Sequence, residues 1–80
     1  MNVRLRLFAS YAEAFWRDEI LLELPPGATA GDALAAIRSR PGAERLPPKP
    51  MLAVNQRYAK ADAALTEGDE VALIPPVAGG

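Results

Sequence analysis

Residues 68–80 read GDEVALIPPVAGG, a stretch that decides the fold because it places the last strand and the point where regular structure stops. Glu67-Gly68-Asp69 has turn chemistry, and Glu70 to Ile74 follows as a short apolar-rich run with strand character. Pro75-Pro76 ends that run, since neither residue offers an N–H to a sheet ladder. Beyond it, Val77-Ala78-Gly79-Gly80 has no periodicity with which to join a strand or helix, and Gly loses the most entropy of any residue on ordering. The expectation is a domain over residues 1–76 followed by a flexible Gly-Gly tail over residues 77–80.

Upstream, Val3, Leu5 and Leu7 alternate with Arg4, Arg6 and Phe8, which predicts a strand with one face in a core and puts Phe8 on the arginine face. Ser10 stands where it would cap a short helix in which Tyr11, Ala12, Phe15 and Trp16 recur at helical spacing, and that spacing assigns all three aromatics to the core. Ile20, Leu22 and Leu24 form a second alternating run, stopped by Pro25-Pro26-Gly27, that pairs with the first. Thr29 and Asp32 make an N-capping pattern, and Ala30, Ala33, Leu34 and Ile37 share one face of the main helix, predicted over residues 30–39.

Pro41-Gly42 breaks that helix, and LPPKP at residues 46–50 reads as an extended, mobile loop. Met51 to Val54 is a strand, Asn55-Gln56 a turn, Arg57-Tyr58-Ala59 a short return strand, and Leu65 plugs the core from the next connection. The order of elements predicts an α+β fold, a mixed sheet packed on one main helix.

Eighty residues, 50% of them hydrophobic, suffice for one core. A chain this short buries only about 60% of its unfolded surface, so a deep cavity would cost packing the fold cannot spare, and function belongs at the surface or at an end. Nine basic residues balance ten acidic ones for a net charge of −1, without the basic stripe of a nucleic-acid binder. The chain has no Cys and no His, which removes thiolate nucleophiles, disulfides, the usual zinc ligands and the commonest acid-base side chain; no metal site is expected. The opening residues alternate, so they lack the continuous apolar run of a membrane span or secretion signal, and the expected location is cytoplasmic.

The stretch GDEVALIPPVAGG, the VRLRLFAS strand at residues 3–10, PPGATAGDAL at residues 25–34 and MLAVNQRYA at residues 51–59 together resemble the small subunit of molybdopterin synthase, the MoaD family of ubiquitin-like proteins. The resemblance implies a β-grasp fold and a sulfur carrier for molybdenum cofactor biosynthesis. An ATP-dependent, ubiquitin-activating-like adenylyltransferase would activate the Gly80 carboxylate, and sulfur would then replace the adenylate to leave a thiocarboxylate on Gly80. The carrier would hold no bound cofactor, ATP being used by the activating enzyme. It would give sulfur to a cyclic pyranopterin monophosphate held by a large catalytic subunit, in an assembly of two small and two large subunits. The chain would thus supply a reagent to an enzyme without a catalytic site of its own. Related carriers for thiamin or tRNA thiolation share the Gly-Gly end, as do ubiquitin-like modifiers joined to proteins through the terminal residue.

The chemistry suits the residues. A chain without Cys can carry reactive sulfur only at its terminus, and Gly79 and Gly80, with Val77 and Ala78 behind them, can thread a narrow channel because the glycines have no Cβ. Pro75 and Pro76 would hold that tail away from the sheet. If Val71 and Leu73 face the core, Ala72 and Ile74 face outward beside Phe8 and Ala53, and this patch, continued by Pro75 and Pro76, is the expected partner-binding surface. An ordinary half-exposed sheet face explains the same alternation. Arg4, Arg6, Arg57, Lys60 and Glu70 read as a solvated face.

Overall fold

A computed structural model describes residues 1–76. The tail expected over residues 77–80 lies outside the described residues. Strand β1 (Asn2–Leu7) follows the alternation: Val3, Leu5 and Leu7 are each no more than 1% exposed. It pairs antiparallel with β2 (Glu19–Glu23) on one side and parallel with β5 (Glu70–Ile74) on the other. Strand β3 (Met51–Val54) runs antiparallel to β5 and to β4 (Arg57–Ala59), giving a mixed five-stranded sheet of order β2-β1-β5-β3-β4. Asn55 and Gln56, at φ 49° and 70°, form the two-residue turn between β3 and β4, a left-handed geometry that matches the twist of a tight hairpin.

Two strands that lie side by side and parallel need a crossover, and the main helix lies within it. Helix α2 (Ala30–Ile37) begins at a reciprocal capping box: Asp32 N–H donates to Thr29 Oγ1 at 3.2 Å and Thr29 N–H donates to Asp32 Oδ2 at 2.8 Å. Two more donors of its first turn, Ala30 N–H and Gly31 N–H, find Ala63 O and Ala61 O at 2.9 and 2.8 Å. Ala30, Ala33 and Ile37 are fully buried against the inward face of β1, β2 and β5, and Leu65 plugs the same core as expected. The helix stops at Ile37, short of residue 39, because Arg38 and Arg40 N–H groups turn to Ala35 O and Ile37 O and tighten the chain. The segment after it contains a 3₁₀ turn (Ala43–Arg45) absent from the sequence reading. LPPKP is tied at both sides, by buried Leu46 and by the Arg38 guanidinium, which donates to Pro47 O and Pro48 O at 2.8 and 3.0 Å.

Helix α1 (Ala9–Phe15) departs from expectation at both ends. Its N-cap is Phe8, in extended conformation and without a side-chain bond, whereas Ser10 is exposed within the first turn. At the other end, Trp16 is not core: it caps the helix at φ 60° and ψ 30° and is 93% exposed. Tyr11 and Phe15, one turn apart, cover the inner face with Ala14, and Trp16, itself in the left-handed conformation, leaves the helical course and points outward.

Among the described residues no helix is long and apolar enough to cross a membrane.

Candidate functional site

The face of the sheet opposite α2 carries the expected patch. Because β5 is central, its alternation is read on both sides: Val71 and Leu73 are fully buried against the helix, and Ala72 and Ile74 point the other way. Register then sets a row across the sheet, Arg6 opposite Ala72, Ala72 opposite Ala53, and Ala53 opposite Tyr58. Two alanines in the middle of that row leave a shallow hollow of about 290 Å³, lined by Phe8, Ala53, Gln56, Tyr58, Glu70, Ala72 and Ile74. The structure therefore brings Phe8, Ala72 and Ile74 together.

One correction concerns relief. Ala72 does not project as part of an exposed surface; at 6% exposure, with Ala53 at 4%, it forms the floor, and Phe8, Tyr58 and half-buried Ile74 form the walls. A Cβ methyl cannot rise above longer neighbours on the same face. Pro75 is half-buried and Pro76 exposed. Pro76 and Ile74 also line a second hollow of about 360 Å³ with Tyr11, Pro50 and Met51, so Ile74 is the ridge between the two.

The second correction concerns charge. Arg6 and Glu70 are not separately solvated: Arg6 Nη1 donates to Glu70 Oε2 at 3.4 Å, while Arg4 Nη2 stands 4.0 Å from the same oxygen. The Arg6 guanidinium also lies 5.7 Å from the centre of the Phe8 ring, and its Nε is buried without a partner. Arg6 thus backs two residues that line the hollow, Phe8 through its guanidinium and Glu70 through the ion pair. Such partly exposed pairs contribute little stability, about 0–1 kcal/mol, so their value here is in fixing the shape of the rim.

Tyr58, 76% exposed, and Met51, 55% exposed, belong to this apolar face although the sequence reading did not assign them to it. The two-residue turn at Asn55-Gln56 carried the missing signal, since such a hairpin fixes Tyr58 opposite Ala53. Asn55 in turn anchors the edge of the site: Glu70 N–H donates to Asn55 Oδ1 at 3.0 Å, and Asn55 Nδ2 donates to Asp69 Oδ1 at 2.9 Å. Asp69 also accepts from Thr66 N–H and Thr66 Oγ1, at 2.8 and 3.2 Å. The Asn55 hydrogen bond, then the Thr66 N–H, hold the Asp69 carboxyl below its ordinary range.

Among the described residues, no three His, Cys, Asp or Glu side chains gather where a metal could be held. The hollow offers apolar contact and no acid-base pair, the chemistry of docking. Val77, Ala78, Gly79 and Gly80, expected to carry the reaction, lie outside the described residues; Ile74, Pro75 and Pro76 show where the chain leaves the sheet, at the rim of both hollows.

Comparison with known proteins matches these features along the whole chain. A model of the ThiS family covers residues 5–80. The molybdopterin synthase sulfur carrier subunit of Chlamydomonas reinhardtii is 36% identical over 83 residues, covering 100% of both chains. That of Arabidopsis thaliana is 30% identical over 100% of this chain and 84% of its own. Among solved structures, the small archaeal modifier protein SAMP1 of Haloferax volcanii superimposes with a TM-score of 0.87 at 30% identity over 100% of both chains. The complex of subunits 1 and 2 of molybdopterin-converting factor from Helicobacter pylori, at 21% identity and a TM-score of 0.75, shares the fold. With its mixed sheet closed over one helix, the chain has a ubiquitin-like β-grasp fold and belongs to the ThiS family, as a MoaD-type small subunit.

Proposed function

We propose that this chain is the sulfur-carrying small subunit of a molybdopterin synthase, with Gly80 as the residue that holds the sulfur. The observation that carries the reading is its full-length similarity, 36% identical over 100% of both chains, to a protein named molybdopterin synthase sulfur carrier subunit. A β5 strand that runs directly into Pro75-Pro76 and a Gly-Gly end supports it. In this reading an activating enzyme of the cytoplasm joins the Gly80 carboxylate to AMP from ATP, releasing pyrophosphate. Sulfur then displaces AMP, because a mixed anhydride has a good leaving group where a carboxylate has none. The thiocarboxylate is delivered to a cyclic pyranopterin monophosphate in the large subunit. Each dithiolene takes two sulfur atoms and hence two carrier turnovers, in keeping with an assembly of two small and two large subunits.

The Phe8, Ala72 and Ile74 hollow is the docking face in this mechanism. It lies at the point where the chain leaves β5, so a partner seated there would receive the tail at a fixed distance from its own active site. The likeness to SAMP1 favours a second use of the same terminal carboxylate, conjugation to a lysine of a target protein.

The test is the intact mass of the chain after incubation with its activating enzyme, ATP and a sulfur donor, with the shift mapped to the C-terminal peptide. Mapping is needed because oxidation of Met1 or Met51 adds nearly the same mass as exchange of one oxygen for sulfur. A C-terminal thiocarboxylate is the expected product. An unmodified C-terminal peptide overturns the reading, and target proteins carrying the mass of the whole chain assign the modifier role.

A further inference from the structure

Trp16 is placed against two local preferences. A residue at φ 60° at the end of a helix is normally Gly, which has no Cβ to clash there, and an indole is normally buried. Here the only Trp of the chain takes the left-handed position and is 93% exposed. Among the described residues nothing covers the ring. A strained backbone and an uncovered aromatic at the same residue point outward, to something the ring meets.

Its surroundings are built. Gly42, at φ 102°, brings the 3₁₀ turn so close to the end of α1 that a Cβ there would stand 2.3 Å from Ala14 O. This approach closes an open cavity of about 460 Å³ in which Trp16 faces Arg40 and Arg45. Neither arginine has an ion-pair or side-chain hydrogen-bond partner among the described residues, whereas the one acidic side chain lining the cavity, Glu44, is occupied by Gly42 N–H at 3.0 Å. The cavity is thus an aromatic plate beside two free guanidinium groups. It shares no lining residue with the Phe8 and Pro76 hollows.

We propose that Trp16, Arg40 and Arg45 form a second protein-docking surface, whose occupant is an acidic segment of another protein presenting an apolar side chain to the indole and carboxylates to the arginines. Charge complementarity selects that occupant, since both uncommitted charges are positive and arginine pairs well with carboxylates. The surface is independent of the terminal chemistry, so it would stand if Gly80 carried no sulfur.

As the single Trp, Trp16 reports its own contact by fluorescence. The full chain is titrated with a synthetic peptide of Glu residues around one central Leu, and with its Gln and Lys counterparts, at low and high salt. The expected result is a blue shift with the Glu peptide that weakens at least tenfold in the Arg40→Gln/Arg45→Gln double variant and falls with salt. By anisotropy of a labelled peptide, Trp16→Gly should lose binding at least tenfold while melting no lower than the parent, because Gly suits the left-handed cap. No blue shift at millimolar Glu peptide, or equal binding of the Gln peptide, would overturn the proposal. So would a blue shift produced by raising the concentration of the chain alone, which assigns the surface to a second copy, or by ATP alone, which assigns it to a nucleotide.

Discussion

Asn55 bonds to Asp69 through its side-chain amide at 2.9 Å and returns its oxygen to the N–H of Glu70, the first residue of β5, at 3.0 Å. One side chain in the β3–β4 turn therefore fixes the start of the strand whose far end leads into Pro75 and Pro76. The backbone repeats the tie, Asn55 N–H donating to Glu70 O at 2.8 Å.

That contact gives a pH prediction. The Asp69 carboxyl is held below its ordinary range by the Asn55 amide and then by Thr66, so the folded state favours its ionised form. Its stabilising effect is complete above the unfolded carboxylate value, about 3.9, and is lost as pH falls through the lower folded value. Asp69→Asn should lower Tm at pH 7 by a few degrees and show less further loss on acidification than the parent. Melting curves from pH 7 to pH 2 check this, and parallel curves for the two chains would contradict it.

The docking face makes a separate prediction. Ile74 is half-buried at the ridge between two apolar hollows, so Ile74→Asp should leave the fold intact, yet weaken large-subunit binding on the order of tenfold or more by placing a charge where water is excluded. Titration calorimetry with the large subunit, with circular dichroism to verify folding, reads both. Unchanged affinity of a folded variant rejects the face.

Gly42 is the position where a single methyl should do most harm. Its φ of 102° disfavours any L side chain, and the added Cβ would meet backbone, Ala14 O at 2.3 Å, which cannot swing away. Gly42→Ala should cost about 2–3 kcal/mol, from strain and from prying the 3₁₀ turn off α1. Denaturant melts measure the loss. Gly27, with open space around the same added atom, is the control and should lose less.

Length at the terminus is the sharpest test of the carrier chemistry. Deleting Gly80, or adding one Gly after it, should change stability by no more than about 0.5 kcal/mol, as for a surface substitution. The reacting carbonyl would nonetheless shift by about 3.3–3.6 Å, the reach of one extended residue. Misplacement by even about 1 Å costs on the order of a hundredfold in rate, so sulfur transfer should be abolished. Thermal melting and product formation for the three lengths, with the same activating enzyme and large subunit, separate the effects. Comparable transfer by the shortened chain sinks the mechanism.

The sequence by itself determined what short-range pattern can encode. Alternation at Val3, Leu5 and Leu7 and at Val71 and Leu73 specified strands and their buried faces, and Thr29 with Asp32 specified where α2 begins, because each signal spans only a few residues. The stretch from Gly68 to Gly80 specified the family for the same reason. Tertiary structure decided the rest. Arg6 and Glu70 are 64 residues apart, and only the parallel pairing of β1 with β5 turns two apparently solvated charges into a pair behind Phe8. Asn55 and Asp69 read as two unrelated turn residues until β3 lies against β5. Trp16 fits a helical apolar spacing, but its burial depended on whether the helix continued past Phe15, and its own left-handed conformation there sends it outward. Local periodicity states which side of an element is apolar; which partner that side meets depends on chain closure over tens of residues, which no local pattern records.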